Sequence, residues 1–340
     1  MLKELLFFRL TRYFHYMNKF FVPNPFTHHL DRHSQMIEAK QLTDQFTLGR
    51  FKGLIADTPL ARIQSLCPRQ DIEIYAKLEG TNLGGSVKDR AAFAMITSAE
   101  QQGLLEDKVL VEATSGNTGI ALALIASLKG LPIKLIMPET ATPERVATMK
   151  AYGAEVVLVS GGMERAIDLA HRLHEEGSHF MLNQFANPAN PEMHFQTTGP
   201  EIYRATQQRV SHFVSAMGTT GTIMGTSRYL KSQNPDIQII GVQPSGESRI
   251  PGIRRWSKDY LPRIFEPQRV DRILDVTAEQ AMETARQLTR QEGIFCGPSS
   301  GGSCWAALQM AKEVESGSVI TFIVCDRGDK YLSMPDLFKS

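Results

Sequence analysis

The sequence predicts an α/β fold built on mostly parallel sheets covered by helices, and three observations carry that expectation. From about Gly49 onward, short β-branched runs alternate with amphipathic stretches; the runs recur at regular intervals; and the stretches between them repeat apolar residues at three and four spacing. A chain of 340 residues is long enough for two such lobes with a cleft between them, and for a sizeable core without disulfides or metals.

Taken in order, the candidate strands are residues 73–77, 109–113, 133–137, 155–159, 212–216, 237–243 and 319–325. The candidate helices are 90–101, 117–129, 143–152, 163–176, 222–231, 278–291 and 301–314, each with apolar residues on one face. The Asn-Pro-Ala-Asn-Pro cluster over 187–191 reads as a loop between two βα series, where a domain changeover is plausible. Residues 1–48 read as a poorly ordered N-terminal extension. Eight aromatics crowd the first 35 residues, Arg9, Arg12 and His15 interrupt the only apolar run, and His28, His29 and His33 lack the carboxylate pattern of a metal site.

Composition excludes several classes. Lys+Arg 37 against Asp+Glu 36 leaves a net charge of +1, so nothing attracts nucleic acid or an anionic membrane. Cys67, Cys296, Cys304 and Cys325 show no CxxC spacing, so neither a disulfide framework nor a metal is expected. The longest apolar runs fall short of the roughly 20 residues that span a bilayer, and a cytoplasmic protein is expected.

In this fold class ligands sit where strands end, so the turns after the strands carry the functional reading. Thr114, Ser115, Gly116, Asn117 and Thr118 stand between a strand and an apolar helix, and hydroxyls and free amides at a helix N-terminus suit an anion. An ordinary N-cap reads the same way. Gly218, Thr219, Thr220, Gly221 and Thr222 also join a strand to a helix; without a Walker lysine or GxGxxG spacing, they suit a single phosphate on a small cofactor. Ser299 and Ser300 open a late helix. Lys88 follows a Gly-Gly pair at a helix start, a position the helix dipole disfavours for a cation. A surface lysine fits that pattern, and so does a Schiff-base lysine; a cofactor with both a carbonyl and a phosphate is pyridoxal phosphate.

The ordered set SVKDR, ATSGNTG, QFANPANP, TTGPEI, GTTGT, GIFCGPSSGG and CDRGD resembles the cysteine synthase family of fold-type II pyridoxal-phosphate enzymes, over about residues 49–333. The resemblance implies two three-layer α/β/α domains, a smaller mobile one over 82–192 and a larger one over 49–81 and 193–340, with pyridoxal 5'-phosphate in the cleft, and a homodimer. It implies β-replacement of O-acetyl-L-serine through an α-aminoacrylate, with sulfide giving L-cysteine. Lys88 would hold the cofactor and move the α-proton, and Asn117 would bond the ring hydroxyl. Residues Gly218, Thr219, Thr220, Gly221 and Thr222 would hold the phosphate, and Ser299 would face the pyridine nitrogen. Thr114, Ser115, Gly116, Thr118 and Gln184 would hold the substrate carboxylate. The segment Ile-Pro-Gly-Ile-Arg-Arg-Trp over 250–256 is similar to one isoform group that also accepts thiosulfate, which implies Arg254 and Arg255 on the sulfonate and S-sulfocysteine as product. A neutral hydroxyl at the ring nitrogen disfavours a long-lived carbanion and favours prompt loss of a β-substituent.

Other readings of the same residues are an O-phosphoserine sulfhydrylase, a cystathionine β-synthase-like enzyme, a serine dehydratase, and a silent homologue whose cleft seats a partner's C-terminal tail. The presence of both Lys88 and Ser299 argues against the silent form.

Overall fold

The computed structural model describes residues 53–334 and Leu337, so the extension expected over 1–48 lies outside the described residues. The chain first lays down β1 (Leu60–Ile63), β2 (Glu73–Leu78) and α1 (Lys88–Gln101). It continues through β3 (Val109–Ala113), α2 (Asn117–Lys129), β4 (Ile133–Pro138), α3 (Pro143–Ala151), β5 (Glu155–Val159), α4 (Gly162–Glu175) and β6 (His179–Met181). A helical stretch follows: α5 (Ala189–Met193), a π-helical turn His194–Thr198 and α6 (Gly199–Ala205). The last part holds β7 (His212–Ala216), α7 (Gly221–Gln233), β8 (Gln238–Pro244), β9 (Arg272–Val276), α8 (Ala278–Glu292), α9 (Pro298–Met310) and β10 (Val319–Val324).

Two sheets result. One has the order β5-β4-β3-β6 and is wholly parallel; the other has the order β1-β2-β10-β7-β8-β9 and is parallel except where β1 meets β2. Each contains a reversal of strand order. The chain winds outward from β3 to β5 and then adds β6 on the other side of β3; it winds from β7 to β9 and then adds β10 on the other side of β7. Loops leaving such neighbours diverge, which opens a crevice at the carboxyl ends of the strands.

All seven expected strands are present within a residue or so at each end. The three unforeseen ones, β1, β6 and β9, are sheet edges, where one flank is unpaired and the apolar run shortens. β9 exposes Arg272, Ile273 and Asp275, so its text does not read as a buried strand. The 187–191 cluster is not a loop throughout: α5 begins at Ala189, with Pro191 in its first turn, where the missing N–H has no helical partner to lose.

Burial explains the helices. α2 is buried from Thr118 through Ala126 and is accordingly apolar on every side, whereas α4 buries only Ala166 and Ala170 and is strongly two-faced. Below the start of α1, Arg90 is fully buried against Glu79 and Glu201, both at 2.7 Å, and Lys77 reaches Glu201 at 2.6 Å. Buried charges are tolerated only when paired in this way, so the cluster pins α1 to β2 and α6. Among the described residues no helix is long and apolar enough to cross a membrane.

Candidate active site

Lys88 opens α1 after a turn that only glycines permit. Gly85 has φ +78°, and a Cβ on Gly84 would lie 2.6 Å from the Asp89 carboxylate that accepts the Gly84 N–H. The Lys88 ammonium reaches out from this fixed start to donate to Thr219 Oγ1 at 3.4 Å. Burial lowers its hold on its proton, opposed by Cys325 and Asp326. A lysine tuned downward in this way is suited to act as nucleophile and base.

Thr219 belongs to the turn between β7 and α7. Thr220 takes a left-handed conformation at φ +73° as N-cap, and α7 begins at Gly221. A Cβ on Gly221 would meet Asn190 Oδ1 at 2.0 Å, and one on Gly218 would meet the Gly252 carbonyl at 2.6 Å. Asn190 donates to both Thr219 Oγ1 (3.2 Å) and the Gln184 carbonyl (2.9 Å). His194, buried in the π-helical turn, bridges Thr198 (2.8 Å) and Thr222 (3.3 Å), and burial pushes its imidazole down to about 3, so it stays neutral. The turn is thus clamped from behind, with its amides left free.

The turn between β3 and α2 is looser. Thr114 Oγ1 accepts the Gly119 N–H at 3.1 Å, Thr118 donates to Gln184 Oε1 at 2.7 Å, and Arg145 holds the Ser115 carbonyl at 3.0 Å. Asn117 Nδ2 donates to Asp326 at 2.5 Å, and the Tyr331 hydroxyl donates to the same carboxylate. Ser299 is buried in the first turn of α9 and lines the same recess as Cys325, whose thiol burial raises to about 12 and keeps inert.

These turns meet around a cavity of about 840 Å³, lined by Lys88, Thr114, Ser115, Gly116, Asn117, Thr118, Gln184, Gly218, Thr219 and Arg254 among others. A recess of about 30 Å³, sharing Lys88, Asn117, Gly218 and Thr219, adds Thr220, Thr222 and Ser299. Gly221 lines neither; it closes the turn from behind. The arginine pair divides. Arg254 faces the cavity with its guanidinium 5.5 Å from the Trp256 ring centroid, while Arg255 turns away to Asp275 and the Pro244 carbonyl. Adjacent residues in an extended segment point to opposite sides, and Asp275 on β9 captures the outer one.

Among the buried oxygens at the site that lack any partner are Thr220 Oγ1 in one turn and Asn117 Oδ1 in the other. Orphaned buried polar atoms are rare. A phosphate would take the hydroxyl of the first, and a ring hydroxyl would donate to the second, so the residues fit pyridoxal phosphate. The sequence reading does not assign Asn190, His194, Arg145, Glu112 or Asp326 to this site, although Asn190 and Asp326 fall inside the motifs QFANPANP and CDRGD and Glu112 is an acid inside the apolar run Val-Leu-Val-Glu-Ala.

The fold and site are those of a fold-type II pyridoxal-phosphate enzyme, and a family model described as pyridoxal-phosphate dependent enzyme matches residues 51–326, so the chain belongs to that family. It is 54% identical over 282 residues to cysteine synthase B of Pseudomonas aeruginosa, covering 82% of this chain and 94% of that protein. Cysteine synthase B of Escherichia coli is 52% identical, with 82% and 93% covered. Among solved structures, a cysteine synthase of Entamoeba histolytica superposes with TM-score 0.81 at 33% identity, covering 94% of each chain. An O-ureido-L-serine synthase does so with TM-score 0.79 at 35% identity, covering 84% of this chain and 93% of that one.

Proposed function

We propose that this chain is a cysteine synthase, in which sulfide displaces acetate from Cβ of O-acetyl-L-serine to give L-cysteine, and in which thiosulfate serves as a second sulfur donor to give S-sulfocysteine. The observation that carries the reading is the position of Lys88, with its Nζ on Thr219 of one turn and in a cavity shared with the other.

Pyridoxal phosphate, when bound, supplies a carbonyl for the substrate amine and a ring that withdraws electrons from Cα. This chain's residues do the rest. The amides and hydroxyls of Gly218, Thr219, Thr220, Gly221 and Thr222 hold the phosphate, Asn117 holds the ring hydroxyl, and Ser299 presents a neutral partner to the ring nitrogen. Thr114, Ser115, Gly116, Thr118 and Gln184 seat the substrate carboxylate at the start of α2. Lys88 Nζ takes the proton from Cα as acetate leaves Cβ and returns it after sulfur adds. Residues 82–192 act as the smaller, mobile domain that closes when the carboxylate docks, against a larger domain of 49–81 and 193–340. A homodimer in the cytoplasm fits the balanced charge and the family.

Arg254 supports thiosulfate use. It forms no ion pair among the described residues and stands at the cavity, so its forked donors are available to a sulfonate. Arg255 is committed to Asp275 and has no part in this seat. The test is to supply the purified protein with O-acetylserine and each sulfur donor. Cysteine should form from sulfide, and its absence would end the main reading. Arg254→Ala should lower kcat/KM for thiosulfate about ten- to a hundredfold, the scale of a charge-assisted contact of ~1.5–3 kcal/mol, while sulfide is little affected. Equal losses with both donors would assign Arg254 a structural role instead.

A further inference from the structure

We propose that Glu112 is a positioning residue of the substrate seat: its carboxylate anchors the turn that carries Gln184, and so sets how that side-chain amide is presented to the substrate carboxylate. This rests on the reading of residues 114–118 with Gln184 as that seat.

Glu112 is the fourth residue of β3 and is buried, a costly place for an acid unless donors converge on it. They do. The Asn183 N–H donates to it at 3.0 Å, and both the backbone and side-chain amides of Gln184 add to its stabilisation. Asn183 takes a left-handed conformation at φ +54°, which turns successive N–H groups toward one point, the geometry of an anion nest. The turn follows β6, which pairs with β3 at the strand-order reversal, so Glu112 and Gln184 come from the two strands whose diverging loops open the crevice.

The Gln184 side chain is therefore set from two directions. Glu112 anchors its turn through the Asn183 N–H at 3.0 Å, and Thr118 donates to its Oε1 at 2.7 Å. With the carbonyl oxygen occupied by Thr118, the NH₂ group is the part left to meet an incoming carboxylate. Turned over, the same amide would set Oε1 against an incoming carboxylate.

Burial, opposed by these amides, raises the Glu112 carboxyl to about 7. No charged side chain contributes. On the flanking strands Lys134 and His179 are in register with Val111 and Val109, which point to the other face of the sheet. On the covering helices Arg90 is committed to Glu79 and Glu201, Lys129 to Glu100, Asp89 to the Gly84 N–H, and Lys88 reaches Thr219. The grip is present above about pH 7 and is lost as the carboxyl takes a proton below it.

Glu112→Gln keeps the shape but replaces the charged acceptor for the Asn183 N–H with a weaker neutral one, which loosens the turn that carries Gln184. KM for O-acetylserine and the dissociation constant for L-serine, read from the cofactor's absorbance, should both rise about five- to tenfold, the scale of one hydrogen bond, with kcat falling less. In the wild type both should also rise as pH falls from 8 to 6, and Glu112→Gln should lack that slope. In a Gln184→Ala background, Glu112→Gln should add nothing further. Wild-type affinity and pH profile in Glu112→Gln, or an equal added loss in the Gln184→Ala background, would overturn the assignment. If Glu112→Gln does not fold, a wild-type pH slope that persists in Gln184→Ala overturns it equally. L-serine binding without turnover of O-acetylserine would sink the proposed function, while the binding ratios still decide the role of Glu112.

Discussion

At the end of β7 the chain enters α7 through a turn that is held on every side, while at the end of β3 it enters α2 through a turn that is held only at its ends. In the first, an added Cβ on Gly221 would collide with Asn190 at 2.0 Å, and one on Gly225, a turn later, with the Pro191 carbonyl at 1.9 Å. In the second, a Cβ on Gly116 would find nothing nearer than the Arg145 guanidinium at 3.9 Å, and Ser115, Gly116 and Asn117 are only half-buried. Both turns sit at helix N-termini beside a reversal of strand order, so both attract anions for the same reason. They differ in their backing. A crowded cradle suits a group that stays bound through every turnover, and an open one suits a group that must arrive and leave.

The largest effect should come from breaking the crowded turn. Gly221→Ala forces Asn190 aside, and with it the clamp on Thr219 and Gln184; cofactor affinity should fall by a hundredfold or more, about 3 kcal/mol, as expected when a close-packed site is overfilled. Equilibrium dialysis of pyridoxal phosphate against the variant measures it, and retained wild-type affinity would show that the turn yields as easily as its counterpart.

Acid should act next, and on the same turn. His194 has its pKa lowered to about 3 by burial, from 6.5. The unfolded chain therefore binds a proton that the folded one refuses, so the stability this site contributes is intact above about pH 6.5 and declines as pH falls toward 3. The slope is at most ~1.4 kcal/mol per pH unit for one group, a tenfold change in the folding constant. Urea denaturation between pH 7 and 5 should show it, and His194→Asn should reduce it; an unchanged slope in the variant would remove His194 from the account.

The smallest effect belongs to the open turn. Thr118→Ala deletes the contact with Gln184 Oε1 and should raise KM for O-acetylserine about three- to tenfold, leaving cofactor affinity as it was. Loss of cofactor in this variant would erase the distinction between the two turns.

The turns themselves were legible in the text because each is a short, local pattern of small and hydroxylic residues directly after an apolar run. Lys88 stands out for a similar reason: a cation at a helix start contradicts the dipole, although that local pattern fits a surface lysine as well. The partners behind the turns were not. Asn190 and His194 lie in a segment dominated by Asn-Pro pairs that reads as loop, and the π-helical turn that carries His194 has no sequence signature of its own.

What the sequence by itself determined is the alternation of strand and helix, the places where strands end in anion-seeking turns, and a lysine set against the dipole at the start of a long helix. These follow from side-chain periodicity and backbone preference over a few residues. Tertiary structure decided which of those turns face each other, since that depends on strand order, and strand order joins residues far apart in the chain. It brought Asn117 to Asp326 across 209 positions and Glu112 to Asn183 across 71. It also separated Arg254 from Arg255, which no local rule distinguishes, by placing Asp275 on the neighbouring strand to capture one guanidinium and leave the other to the cavity.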